Sequence, residues 1–192
     1  MITIGIVIFP DVEELDFVAP YEVLSYINKI QANSTNVLLV APSHEPVRAF
    51  NGLKILPDVS FDTCPTLDIL LFPGGKGRTK WMKDASIQAF ITAHKDHVRY
   101  LVSVCTGAFF LAEAGMLQGK TATTYHSAFD ELACYGVNVV SSKVVHDGTI
   151  ITAGGVSSGL ELGFYLLKEL FGLALAQEVA HKIEYNINIS TL

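Results

Sequence analysis

The chain has 192 residues, half of them hydrophobic and 17% charged, enough apolar side chain for one buried core and the wrong balance for a disordered or coiled-coil chain. Lys and Arg number 13 against 19 Asp and Glu, a net charge of −6; with no basic run, nucleic acid is excluded as a partner, because phosphate binding needs clustered cations. Three cysteines at unrelated spacings make neither a disulfide framework nor a metal site, and no apolar stretch is long enough to span a bilayer. The N-terminus runs into Ile2-Thr3-Ile4 without a basic region or cleavage site, so no signal peptide is read there. The expectation is one domain over 1–192 in a reducing cytoplasm, with no membrane partner.

In chain order, residues 2–8 form an apolar, β-branched run, a central strand. Phe9-Pro10-Asp11-Val12 is a loop, and residues 15–30 carry apolar side chains at helical spacing, with Pro20 predicting a kink or a late start. Residues 36–41 are a second strand. Asn51-Gly52 marks a hairpin between short strands. Residues 67–72 form another apolar strand, ending at Pro73-Gly74-Gly75. A helix over 80–97, in one or two pieces, leads to the strand at Tyr100, which breaks at Cys105-Thr106-Gly107 and resumes as an Ala/Phe/Leu helix. A short strand at 119–124, a helix at 127–133 and three strands between 139 and 152 follow, the last two joined by the Asp147-Gly148 turn. Ala153-Gly154-Gly155 opens into helices over 158–170 and 173–183. Alternating strands and helices predict an α/β sandwich with a mostly parallel sheet, whose ligands sit beyond the carboxyl ends of the strands. Three loops of special chemistry converge there if their strands are parallel.

Cys105 is the candidate nucleophile. A strand that turns sharply into a helix at one nucleophilic side chain is a nucleophile elbow, and the helix N-terminus then favours thiolate. Cys64 and Cys134 read as ordinary small hydrophobes. Gly74 and Gly75 are either a plain turn or a pair of unencumbered amides for an oxyanion, and Gly154-Gly155 permits the same two readings. Glu13 and Glu14 read as a solvated face. Asp16 is odd, because Leu15 and Phe17-Val18 flank it; a carboxyl in low dielectric near a thiol has a raised pKa and can donate a proton. His126 is either a base or a structural helix-start residue.

Six motifs in order, Phe9-Pro10-Asp11-Val12 with Leu15-Asp16, Phe72-Pro73-Gly74-Gly75, Ser103-Val104-Cys105-Thr106-Gly107, Ala122-Thr123-Thr124, Phe129-Asp130-Glu131-Leu132 and Thr152-Ala153-Gly154-Gly155, resemble the ThiJ/PfpI superfamily, with its class I glutamine amidotransferase-like fold, and within it the isocyanide hydratase branch. That resemblance implies a flavodoxin-like three-layer sandwich, usually a homodimer, with Cys105 as nucleophile and Asp16 as the acid hydrogen-bonded to its sulfur. It also implies that Thr106 lines the site with hydroxyl and amide, that Gly74 and Gly75 supply backbone amides, and that Val156 closes the pocket opposite them. No metal and no organic cofactor are implied, and the partner is a small-molecule substrate. Two departures stand out: the common Thr-Thr-His is here Thr124-Tyr125-His126, with the histidine displaced by one, and a Pro-rich tail is replaced after Glu184-Tyr185 by Asn186-Ile187-Asn188-Ile189.

The expected activity is addition of water to an isocyanide through a Cys105 thioimidate, in a pocket lined by Phe109, Val156 and the Leu15 to Phe17 segment. Thr106, where peptidase-like relatives carry His, argues against protease or amidase chemistry, which uses a Cys-His pair. The alternatives are a glyoxalase or deglycase acting on 2-oxoaldehydes, with His126 as a substitute base, and a non-enzymatic cysteine redox sensor. The regulator form of that last reading is weakened by the absence of a DNA-binding segment or a basic surface.

Overall fold

The computed structural model describes residues 1–192. The elements are β1 (Ile2–Val7), α1 (Glu14–Tyr26), β2 (Thr35–Ala41), β3 (Val47–Arg48), β4 (Lys54–Ile55), β5 (Val59–Ser60), β6 (Ile69–Phe72), α2 (Arg78–Trp81), α3 (Ala85–His94) and β7 (Tyr100–Val104). Then come α4 (Ala108–Glu113), β8 (Thr121–Ala122), α5 (Phe129–Ala133), β9 (Asn138–Val139), β10 (Val144–Asp147), β11 (Ile150–Ala153), α6 (Ser158–Phe171) and α7 (Leu173–Lys182). Seven strands form one sheet in the order β10-β11-β7-β6-β1-β2-β5, flanked by helices. Every pairing is parallel except the β10–β11 hairpin. This is the flavodoxin-like sandwich.

The sequence pattern accounts for the sheet. The middle strands are buried on both faces, so they read as unbroken apolar runs rather than alternations: Ile4, Ile6 and Val7 of β1 and all of Ile69 to Phe72 in β6 are buried. β6, β7 and β11 lie side by side and parallel, so their carboxyl ends point the same way and their three following loops meet. Phe110 of α4 pins that edge from below. Its ring sits 5.0 Å from Phe9, just past β1, and 5.4 Å from Phe72 at the end of β6.

Helix α1 departs from expectation. It begins at Glu14 and runs through Pro20 without interruption, with no late start. Proline there removes an N–H from the ladder, and packing offsets the loss. Pro20 and Val23 lie against Gly159 and Gly163 of α6: a Cβ at Gly159 would stand 3.1 Å from Pro20 Cδ, and one at Gly163 only 2.8 Å from Val23 Cβ. The two glycines let α6 press close enough to fix where α1 lies. Gly163→Val is therefore expected to lower stability by about 2 kcal/mol through overpacking, read as a lower urea midpoint at unchanged m-value.

Candidate active site

Cys105 stands where β7 ends, and its backbone is strained: φ is +56°, the left-handed region that disfavours any side chain with a Cβ. Both of its backbone polar groups are tied down. Its N–H donates to Gly154 O at 2.9 Å, and Thr124 Oγ1 donates to its carbonyl at 2.7 Å. A single 3-10 turn, Cys105–Gly107, then leads into α4. Gly107 is obligatory, since a Cβ there would overlap Phe72 O. This is the elbow expected from the sequence.

The loop ahead of α1 is zipped to the Pro73-Gly74-Gly75 loop. Val12 bridges Gly75, and the Glu13 N–H donates to Gly74 O at 3.0 Å. That register carries Asp16, in the first turn of α1, underneath the elbow with 0% exposure. Its Oδ2 accepts the Gly74 N–H at 2.9 Å, and Gly75 N–H donates to Thr106 Oγ1 at 3.1 Å. These two amides are not the unencumbered pair read from the sequence. They hold the carboxyl and the threonine. The backbone amides that lower the Cys105 thiol are instead those of Thr106 and Val156. Val156 is itself held at φ +20°.

Cys105 is 6% exposed. The two ionisable groups shift one another, yet no regular hydrogen bond joins them: Asp16 Oδ1 is buried without a partner. Burial raises the Asp16 carboxyl from 3.8 to about 7, with the Gly74 amide and the Cys105 thiol acting in the opposite direction. Burial first, and the charge of Asp16 second, push the Cys105 thiol up to about 12 against the pull of the Val156 and Thr106 amides. This corrects the expected low-pKa thiolate. The helix meant to supply a dipole has only six residues, and desolvation beside a carboxylate outweighs it. Two buried anions side by side are disfavoured, so above about pH 7 the pair holds one proton and below it two.

Above the pair opens a cavity of about 510 Å³. Cys105, Thr106, Gly75 and Val156 are among its lining residues, and Asp16 and Gly74 are not. Its walls were not foreseen. They are Glu13, Lys76, Arg78, Thr79 and Tyr125, so the lining is more polar than the apolar one expected. Phe109 is fully buried beneath the Arg78 guanidinium, 3.9 Å from its ring, and Leu15 and Phe17 do not reach the cavity. Arg78 is held by a bidentate pair with Glu131 of α5, at 2.7 and 2.6 Å. Glu14, read with Glu13 as a solvated face, accepts from Asn51 at 2.8 and 2.7 Å and anchors the β3–β4 hairpin. His126 is exposed and lines a different cavity, so it offers no base to Cys105.

The sequence pattern of the DJ-1/PfpI family matches residues 3–169. An isonitrile (isocyanide) hydratase of Pseudomonas putida is 38% identical over 182 residues, covering 95% of this chain and 78% of that one. Protein dj-1beta of Drosophila melanogaster is 27% identical, covering 91% and 92%, and a glutathione-independent glyoxalase, DJR-1.2 of Caenorhabditis elegans, is 24% identical, covering 84% of each. Among solved structures, a ThiJ/PfpI family protein of Pseudomonas syringae superposes with a TM-score of 0.90 at 32% identity, over 97% of this chain and 76% of that one. No helix is long and apolar enough to cross a membrane. The chain belongs to the DJ-1/PfpI family.

Proposed function

We propose that the protein hydrates an isocyanide to an N-substituted formamide, with Cys105 as nucleophile and Asp16 as the acid and base. The observation that carries this reading is the buried Asp16 carboxyl, raised to about 7 beside the Cys105 thiol with Thr106 next in the chain and no histidine in the cavity. That arrangement suits an addition in which one proton moves to carbon and back, and it lacks the imidazole that amide hydrolysis uses. The 38% identity to an isonitrile hydratase points the same way.

The steps balance without an external oxidant or reductant. Internal transfer of the shared proton gives the Cys105 thiolate and the Asp16 acid, and the Thr106 and Val156 amides steady the sulfur. The thiolate attacks the terminal carbon of R–N≡C, forming a C–S bond, and Asp16 protonates that carbon to give the thioimidate R–N=CH–S. The ionised Asp16 then takes a proton from water as its oxygen adds to the same carbon, and passes that proton to the nitrogen. Breaking the C–S bond returns the thiolate and releases R–NH–CHO, and the hydroxyl proton restores the pair. A cytoplasmic homodimer remains part of the proposal.

The glyoxalase-type alternative needs a base for the hemithioacetal, and Asp16 is the candidate, since His126 lies elsewhere. Formamide release from an alkyl isocyanide, measured beside lactate formation from methylglyoxal, separates the two. Formamide is the expected product, and Cys105→Ala is expected to abolish it; a variant that kept full turnover would sink the mechanism.

The reactive form carries one proton on the pair. As pH falls through about 7 the second proton binds Asp16 and the thiolate can no longer form. The expectation is that kcat/KM falls on the acid side with an apparent pKa near 7 and holds on the alkaline side. Asp16→Asn should lower kcat by about 10² or more, the usual contribution of a positioned acid–base group.

The same shift affects stability. A carboxyl at 3.8 in the unfolded chain and about 7 in the folded one means that the folded state binds more protons between those values. Stability therefore declines as pH rises through that window, and the full penalty applies above it. Asparagine can still accept from Gly74 without carrying charge. Asp16→Asn is expected to be more stable than wild type by about 2–4 kcal/mol at pH 8, with the difference vanishing near pH 4 in denaturant titrations.

A further inference from the structure

Hydration of an isocyanide moves protons at two atoms. Carbon is the atom that bonds to sulfur, and Asp16 lies beside that sulfur. Nitrogen is the next atom out, on the side that carries R, so its surroundings are those of the cavity. Asp16 is 0% exposed and is not among the lining residues. Among the side chains that do line the cavity, Glu13 is the only carboxyl. Arg78 is committed to Glu131 by two hydrogen bonds, and a guanidinium does not release its proton. Hydroxyl and ammonium groups are weak acids at neutral pH. A carboxyl in partial burial is the group suited to giving and retaking a proton there.

Glu13 and Glu14 are neighbours with different fates. Both oxygens of Glu14 are taken by Asn51, through its backbone N–H at 2.8 Å and its side-chain amide at 2.7 Å. The same amide reaches Glu13 Oε1 only at 3.4 Å, beyond the usual range of such bonds. Glu13 belongs to no ion pair, although Lys76 and Arg78 line the same cavity. Its backbone, by contrast, is fixed: the N–H donates to Gly74 O at 3.0 Å, next to the Val12 bridge to Gly75. The zipped loop therefore holds Glu13 in place and leaves its half-buried carboxyl open to a ligand. Burial first, and the charge of Glu14 second, raise that carboxyl above its ordinary value, against the Asn51 contact.

We infer that Glu13 is a second catalytic carboxyl, which carries the proton of the substrate nitrogen while Asp16 serves carbon and water. The inference rests on the hydratase reading and deepens it at one step: the proton reaches nitrogen through Glu13 rather than from Asp16 directly. The ionised Asp16 takes a proton from water as the oxygen bonds to the thioimidate carbon. In the same step the Glu13 acid gives its proton to nitrogen, and the π pair of C=N becomes the N–H bond. When the C–S bond breaks, its electron pair leaves with sulfur. The hydroxyl on carbon becomes the formamide carbonyl, and its proton goes to the Glu13 carboxylate. The Cys105 thiolate, the Asp16 acid and the Glu13 acid are all restored.

Loss of this acid should leave thioimidate formation untouched and slow its hydrolysis. With an alkyl isocyanide, Glu13→Gln is expected to lower kcat by about 10², the usual contribution of a positioned acid. Its kcat/KM, set by formation of the adduct, should stay within about twofold of wild type, with KM falling alongside kcat. Intact-mass spectra taken during turnover should show a Cys105 adduct, heavier by one isocyanide, in a larger fraction of Glu13→Gln than of wild type. Glu14→Gln, which removes the neighbouring charge, should show no such excess. An unchanged kcat in Glu13→Gln overturns the role, and so does a joint fall of kcat and kcat/KM without excess adduct. Equal accumulation in Glu14→Gln overturns it as well, because charge alone would then be the cause. If wild type releases no formamide and no variant gains mass, the hydratase reading has failed and the role of Glu13 falls with it.

Discussion

Placing a carboxyl and a thiol together out of water is the constraint on which the rest of this structure depends. Neither group ionises readily there, because desolvation raises both and the charge of Asp16 raises the thiol further. The thiol keeps its proton, and Asp16 gives up its own only as pH rises through about 7. Holding Asp16 there requires α1 to begin in register with the Pro73-Gly74-Gly75 loop, through the Val12 bridge and the Gly74 contacts. It also requires α6 to support α1 closely, which Gly159 and Gly163 allow.

Strain is concentrated at the same place. Cys105 and Val156 hold positive φ without being glycine, and such residues persist only where their surroundings over-determine them. Here the surroundings are identifiable. The Cys105 carbonyl and amide are both bonded to other loops, and the Phe9, Phe72 and Phe110 rings pack beneath the turn. A stable frame thus carries an unstable centre, the usual relation between a scaffold and a reactive site. The two amides that lower the thiol come from different loops, Thr106 after β7 and Val156 after β11. Pairing of those strands is what aligns them.

Much of the site around Cys105 was legible in the chain because these residues sit inside local motifs. Cys105-Thr106-Gly107 interrupts a strand-to-helix transition, Gly74 and Gly75 end an apolar strand, and Asp16 breaks an apolar stretch. The walls were not legible. Arg78 reaches the cavity because it stacks on Phe109 and pairs with Glu131, two residues remote in sequence. Tyr125 belongs there because Gly155 leaves room for its ring. Glu13 read as a solvated face until the zipped loop turned it inward. The one available signal was proximity: Glu13 lies three residues before Asp16, and Arg78 three after Gly75. Charge on a short segment does not say which way the segment faces.

The sequence by itself determined the α/β sandwich, the order of its elements and which cysteine stands at the elbow, because apolar runs, turn residues and the elbow are local patterns that bury or bend the same way in any compact chain. It also singled out Asp16. Tertiary structure alone decided the state of the pair and the character of the pocket. A thiol at a helix start is acidic in the open and weakly acidic when buried beside a carboxyl, and burial is a property of the whole fold. Which amides are engaged is likewise decided by contacts across loops, so Gly74 and Gly75 brace Asp16 and Thr106 while the Thr106 and Val156 amides act on the thiol.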